Sequence, residues 1–150
     1  MLLYRLAKCK YVNDLSGAGA RLYGGRWNSE GQPMVYTASS RALAVLEVLV
    51  HIAPKDLPDD FCMMIIEAPD DVEVLDLNFL PPGWPEYPEI NVLKTIGNDF
   101  LRRAEHLMLK VPSAVVTEEF NFLINPQHPK ASQIRMSGTR PFVFDPRLRP

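Results

Sequence analysis

Glu47 is the single charged residue in the run Ala42 to Val50, which is otherwise Ala, Leu and Val. At helical spacing, Ser40, Ala44, Glu47 and His51 fall on one narrow stripe, while Leu43, Leu46, Leu49 and Val50 cover the rest. A helix carboxylate most often faces water, and Ser40, Glu47 and His51 together fit a solvated stripe. So narrow a polar line also fits a helix that borders a cleft with a carboxylate in it. Arg26-Trp27 follows a glycine-rich stretch, Ser16 to Gly25. An arginine can close such a loop by stacking on its tryptophan. Its planar fork of donors also suits a diphosphate, and flanking glycines let a ligand approach the backbone. Tyr36 ends a short strand: core packing is the commoner role, and a flat face for a planar ring is the functional one. Ser113 lies in Val111-Pro112-Ser113-Ala114, without a Gly-x-Ser-x-Gly elbow. That leaves it as a hydrogen-bonding hydroxyl rather than a hydrolase nucleophile. Asn121 and Asn125 flank Phe122 to Ile124, and Asn125-Pro126 opens a turn. His51 and His128 are too isolated to imply a metal and read as structural histidines.

Elements that position these residues can be read from pattern. Strands are expected at Leu2 to Leu6, Pro33 to Thr37, Cys62 to Glu67, Val72 to Leu75, Val111 to Val116, Phe120 to Ile124 and Phe142 to Asp145. Helices are expected at Ser39 to Ala53, capped by Ser39 or Ser40, and at Asn91 to Lys110. Ser16 to Gly25 reads as a flexible loop, with neither a Walker A nor a dinucleotide fingerprint. Prolines in Pro81 to Pro88, around Trp84, mark a rigid loop. No βαβ rhythm appears, so a doubly wound sheet is not expected.

The chain has 150 residues, 47% of them hydrophobic, which makes one domain spanning residues 1–150. Lys plus Arg is 16 against 18 for Asp plus Glu, a net charge of −2. That balance lacks the bulk electrostatic footprint of a nucleic-acid binder, and no paired acid cluster favours a metal-dependent nuclease. Cys9 and Cys62 stand far apart in the chain without metal-like spacing and are expected to make no disulfide framework. The longest apolar stretch is too short to cross a membrane, so the expected location is cytoplasmic, with reduced thiols.

Several pieces, in this order, resemble one family: Tyr4-Arg5, Gly25-Arg26-Trp27-Asn28, Val35-Tyr36-Thr37-Ala38, Ala44-Val45-Leu46-Glu47, Val111 to Val116, Asn121 to Pro126 with His128, and Phe142 to Leu148. The chain is similar to the RES-domain family, named for its Arg, Glu and Ser, whose members are toxins of bacterial RES–Xre toxin–antitoxin pairs. The resemblance implies an α+β fold, a small split mixed β core with surrounding helices, like the ADP-ribosyltransferase toxins. It implies a toxin that depletes NAD+ by hydrolysis or phosphorolysis, with NAD+ as substrate and no separate cofactor or metal. It implies an Xre-class helix-turn-helix antitoxin as partner and also a homodimer. The Pro-rich loop around Trp84 and the C-terminal tail are possible contact regions for that antitoxin. Functional positions carried over are Arg5, Arg26, Tyr36, Glu47 and Ser113, with Asn121 a weaker transfer.

That chemistry is consistent with the residues. Cleaving the ribose–nicotinamide bond passes through an oxocarbenium-like state, and nicotinamide departs neutral without a general acid. One carboxylate, Glu47, stabilises the positive charge. Arg5 and Arg26 grip the phosphates, Tyr36 stacks on the ring, Ser113 orients the ribose or the amide, and Asn121 belongs to the binding set. The alternatives are a protein ADP-ribosyltransferase using the same pocket and a non-catalytic nucleotide-binding module.

Overall fold

The computed structural model describes residues 1–149. Seven strands run in chain order: β1 (Leu2–Lys8), β2 (Val35–Ala38), β3 (Phe61–Glu67), β4 (Val72–Val74), β5 (Met108–Pro112), β6 (Phe120–Ile124) and β7 (Arg135–Phe142). The α-helices are α1 (Ala18–Tyr23), α2 (Arg41–Leu49) and α3 (Asn91–Arg103). The strands form one sheet in the order β4-β5-β6-β2-β1-β3-β7. Among the described residues, only β4 and β5 pair in parallel.

The centre of this sheet is split. β1 pairs with β3 along its whole length, from Leu2 opposite Glu67 to Lys8 opposite Phe61. β2 pairs with β6 along all of its residues, from Val35 opposite Ile124 to Ala38 opposite Asn121. Between β1 and β2 the register holds at one pair, Tyr4 opposite Ala38. Beyond it the strands diverge, and Arg5 to Ala7 face Val35 to Thr37 across an opening.

Alternation along the strands sorts the core onto two faces. Leu3, Met64, Ile66, Met108 and Ile124 pack together on one face. On the other, α2 packs Leu43 and Ala44 against Leu6, Met63 and Phe144. Beside it, α3 packs Leu93 and Phe100 against Trp27, Met34, Leu109 and Leu123. Ser40 caps α2: its side chain accepts the Leu43 N–H at 3.1 Å.

Several elements depart from expectation. Ser16 to Gly25 is not simply a loop, since it holds α1, bounded by Gly17 and Gly24 at positive φ. Helix α2 stops at Leu49, short of Ala53. Helix α3 ends at Arg103, because Ala104 takes a left-handed conformation with φ 51°. The fully buried Leu107 and Met108 belong to the approach and start of β5, not to a helix face. The last strand precedes the expected tail strand, and Phe144 beyond it packs edge-on to Phe61 and Phe142.

The cysteines also need correcting. Cys9 and Cys62, 53 residues apart, form a disulfide with a Cα–Cα separation of 4.8 Å. Pairing of β1 with β3 sets Ala7 opposite Cys62, and the turn after β1 brings Cys9 back, its N–H donating to Asp60 O. Distance along the chain did not report distance in space. Among the described residues, no helix is long and apolar enough to cross a membrane.

At the edge of the sheet, just before β4, Asp71 ties three segments. His106 Nδ1 lies 2.7 Å from its carboxylate, Lys130 Nζ donates at 2.8 Å, and its carbonyl accepts Met108 N–H. Hydrogen bonds from Lys130 and then His106 pull its pKa from the ordinary 3.8 to about 2. A depressed carboxylate stabilises the fold fully above its ordinary pKa and loses that contribution as pH falls through the folded value. Acid unfolding followed from pH 4 to 2 should therefore steepen in the parent protein and flatten in Asp71→Asn.

Candidate active site

A cleft of about 1010 Å3 opens where β1 and β2 part. That is at the upper end of ligand pockets, which run to roughly 1,000 Å3, and has room for a dinucleotide. Arg5 on β1, Arg26 after α1, Tyr36 on β2, Glu47 on α2 and Asn121 on β6 all line it. The sheet supplies three of them: Arg5 and Tyr36 from the two strands that part, and Asn121 from β6, opposite Ala38.

Glu47 is held at one oxygen. Its Oε1 accepts from Ser113 Oγ at 2.6 Å and from Asn121 Nδ2 at 2.6 Å. Among the described residues nothing bonds Oε2, which retains its acceptor capacity. Helix periodicity puts Glu47 on the cleft, and the neighbouring strand and turn fix its rotamer from behind. Asn121 turns its amide so that Nδ2 meets the carboxylate, which leaves its buried Oδ1 without a partner.

Ser113 does not line the cleft. It is fully buried, and its Oγ donates to Glu47 while accepting the N–H groups of Val115 at 3.0 Å and Val116 at 3.1 Å. Its hydroxyl is used within the protein, so it acts on Glu47 rather than on a ligand. Ser113→Ala should leave two amides without their acceptor and release one side of Glu47, costing about 2 kcal/mol. Calorimetry should record a melting temperature lower by roughly 4–8 °C.

Arg26 is anchored as well as presented. Its Nη1 donates to Trp84 O at 2.9 Å and Glu86 O at 3.0 Å, folding the Pro-rich loop against it. Among the described residues nothing accepts from Nε or Nη2, which remain as donors. Arg5 donates from Nη1 to Asp14 O. Burial pulls its pKa below the ordinary arginine value, partly offset by the Asp14 charge. A guanidinium in a drier setting attracts an anion more strongly than one in bulk water.

Tyr36 presents its ring rather than its hydroxyl. The Oη donates to Asn28 Oδ1 at 2.7 Å and accepts Trp27 N–H at 3.1 Å. Burial holds the phenol well above the ordinary tyrosine pKa, with the Glu89 charge adding to the effect. It stays protonated at physiological pH and does not act as a general base.

Other cleft residues were not singled out as contacts from sequence. Tyr4, with the Arg41 guanidinium 4.6 Å from its ring centre, also lines the cleft, as do His51, Tyr87 and Glu89. His51 shared the Glu47 stripe, which was the available signal. Buried His128 caps the turn before Lys130, its Nδ1 accepting the Lys130 N–H at 3.1 Å.

The RES domain pattern matches residues 2–145 of this chain. The chain belongs to the RES-domain family. A protein of Sphingobium sp. named "Prs ADP-ribosylating toxin" is 43% identical to this RES domain over 146 residues, covering 95% of this chain and 91% of its own length. A "Toxin Res" of Pseudomonas putida is 41% identical over 150 residues, covering 99% of both. Among solved structures, the Mycobacterium tuberculosis MbcT–MbcA toxin–antitoxin complex contains a chain that superposes with a TM-score of 0.79 at 19% identity. The superposition covers 95% of this chain and 84% of that one. At that identity the likeness shows a shared α+β fold.

Proposed function

We propose that this RES domain is the toxin of a toxin–antitoxin pair and cleaves the bond between ribose and nicotinamide in NAD+. The observation that carries this reading is Glu47, with Oε1 fastened by Ser113 and Asn121, in a cleft shared with two guanidiniums and an aromatic face. In the reaction the C1′–N bond breaks and its electron pair passes to the pyridinium nitrogen, so nicotinamide leaves neutral. Positive charge moves from that ring to C1′ and the ring oxygen of the ribose. Glu47 stabilises it there, as glycosidase carboxylates stabilise their oxocarbenium-like states. Arg5 and Arg26 hold the diphosphate, and Tyr36 stacks on the nicotinamide. Water or phosphate then attacks C1′ through oxygen and gives up a proton.

Nicotinamide release from NAD+ by the purified protein, with and without phosphate and beside Glu47→Gln, tests the reading. Release by the parent alone supports it, and a phosphate requirement names the acceptor. No release from folded, antitoxin-free parent sinks it.

A second reading shares the bond cleavage but sends ADP-ribose to a protein. It is favoured by the 43% identical relative whose name states that it ADP-ribosylates. Labelled NAD+ incubated with cell lysate separates the two: label on a protein band supports transfer, and label only in free ADP-ribose or its phosphate opposes it. The partner under either reading is an Xre-class antitoxin. It would act most directly at the cleft mouth, where exposed Tyr23 and Tyr87 form an apolar rim.

A further inference from the structure

Asn28 is an asparagine with no exposed surface in the middle of a turn that carries a cleft arginine. Its Nδ2 donates to Ala20 O at 2.8 Å and Gln32 O at 3.0 Å, tying α1 to the chain beyond the turn. Its backbone carbonyl accepts Gly25 N–H at 3.0 Å, closing a bridge with Arg26 and Trp27 at its tip. Its Oδ1 receives the Tyr36 hydroxyl at 2.7 Å. Gly25 completes the seat: a Cβ there would lie 2.6 Å from Tyr36 Oη and 3.0 Å from Asn28 Oδ1. The φ of Gly25 is not positive, so the absent side chain serves space rather than backbone conformation.

We infer that Asn28 is a positioning residue: with Gly25 it seats the Tyr36 hydroxyl and thereby fixes the ring face and the Arg26 turn relative to each other. The inference rests on the reading that the cleft takes a planar ring joined to a diphosphate, as in NAD+. Such a ligand needs its stacking face and its phosphate clamp at a set separation. One asparagine sets that separation by bonding the tyrosine with its side chain and the turn with its backbone. Small misplacements of binding groups have large kinetic effects. The Tyr36 hydroxyl is then an anchor, and the ring is the part that meets substrate.

The test compares the full-length parent with Gly25→Ala, Asn28→Ala, Tyr36→Phe and the doubles of each of the first two with Tyr36→Phe. Gly25→Ala should raise KM for NAD+ about tenfold with kcat changed by less than about threefold. Adding Tyr36→Phe removes the oxygen at 2.6 Å and leaves Tyr36 Cζ and Asn28 Oδ1 at 3.0 Å, so Gly25→Ala should cost clearly less in the Tyr36→Phe background than in the parent. Asn28→Ala combined with Tyr36→Phe should cost less than the product of the two singles, because the Tyr36–Asn28 contact is lost in both, while the Trp27 N–H bond is lost only with the hydroxyl. Effects that multiply, or a folded Gly25→Ala with parental KM, overturn the inference. If Asn28→Ala fails to fold, the Gly25 pair still decides, since it leaves Asn28 in place.

A readout without turnover separates this inference from the substrate reading. The Tyr36 hydroxyl proton should give a slowly exchanging resonance in the parent that disappears in Asn28→Ala or Gly25→Ala. Its presence in a parent that releases no nicotinamide would end the NAD+ reading and leave the seat standing. Its absence from the parent would end the seat.

Discussion

Replacing Glu47 with glutamine should lower the rate of nicotinamide release by about 10²–10³-fold while leaving the melting temperature nearly unchanged. The substitution separates charge from shape. A glutamine carbonyl oxygen in the place of Oε1 still accepts from Ser113 Oγ and Asn121 Nδ2, both now at 2.6 Å. The fold therefore keeps its contacts on that side of α2. What changes is the other end, where an amide NH2 replaces the acceptor Oε2 and opposes the charge growing on the ribose. On the proposed reading the diphosphate is held by Arg5 and Arg26, away from the substitution, so the loss should fall on kcat more than on KM. Glu47→Ala is the poorer variant, because it also strands the Ser113 hydroxyl and the Asn121 amide. A Glu47→Gln protein within about threefold of parental activity would mean that carboxylate charge is not what stabilises the reacting ribose.

Local pattern singled out Glu47 as polar among apolar residues at helical spacing, but it favoured a solvated stripe, and the resemblance placed the residue in a site. Local pattern could not read its supports. Ser113 and Asn121 lie 66 and 74 residues away and meet it only through the packing of α2 on the sheet. Resemblance supplied their importance but not the direction of the Ser113 hydroxyl, which turns to Glu47 and two amides. The same limit hid the disulfide, since the proximity of Cys9 and Cys62 follows from β1–β3 register.

Elements without periodicity were missed for local reasons. α1 is six residues long between glycines, too short to show a helical pattern. The end of α3 depends on Ala104 at φ 51°, and an alanine announces no left-handed turn. β7 is an edge strand of mostly exposed residues, Arg, Ser and Thr among them, so no apolar alternation marks it. The split between β1 and β2 came from resemblance alone. The structure gives it a physical form: a ladder that holds at Tyr4 and Ala38 and then opens.

Gly97→Ala should be the most damaging single methyl group that can be added outside the cleft. Glycine inside a helix ordinarily costs about 0.5–1 kcal/mol relative to alanine, so the substitution would stabilise α3 if space allowed. Space does not allow it. A Cβ at Gly97 would lie 1.7 Å from Trp27 O and 2.7 Å from Trp27 C, both backbone atoms. Neither neighbour can step aside cheaply. The Trp27 side chain is buried with Leu93 and Phe100, and the next helix residue, Asn98, accepts the Ser29 N–H at 3.0 Å and donates to Ser29 Oγ at 2.8 Å. Either α3 must lift from the sheet or the turn from Gly24 to Ser29 must shift. Overpacking of this kind costs about 3 kcal/mol or more, which lowers the melting temperature by roughly 6–12 °C in a domain of this size. The turn that shifts is the one carrying Arg26, so protein that stays folded at low temperature should also bind NAD+ more weakly. Equal melting temperatures for Gly97→Ala and parent would show that α3 does not press on this turn. It would also remove the helix from the set of elements that hold the arginine in the cleft.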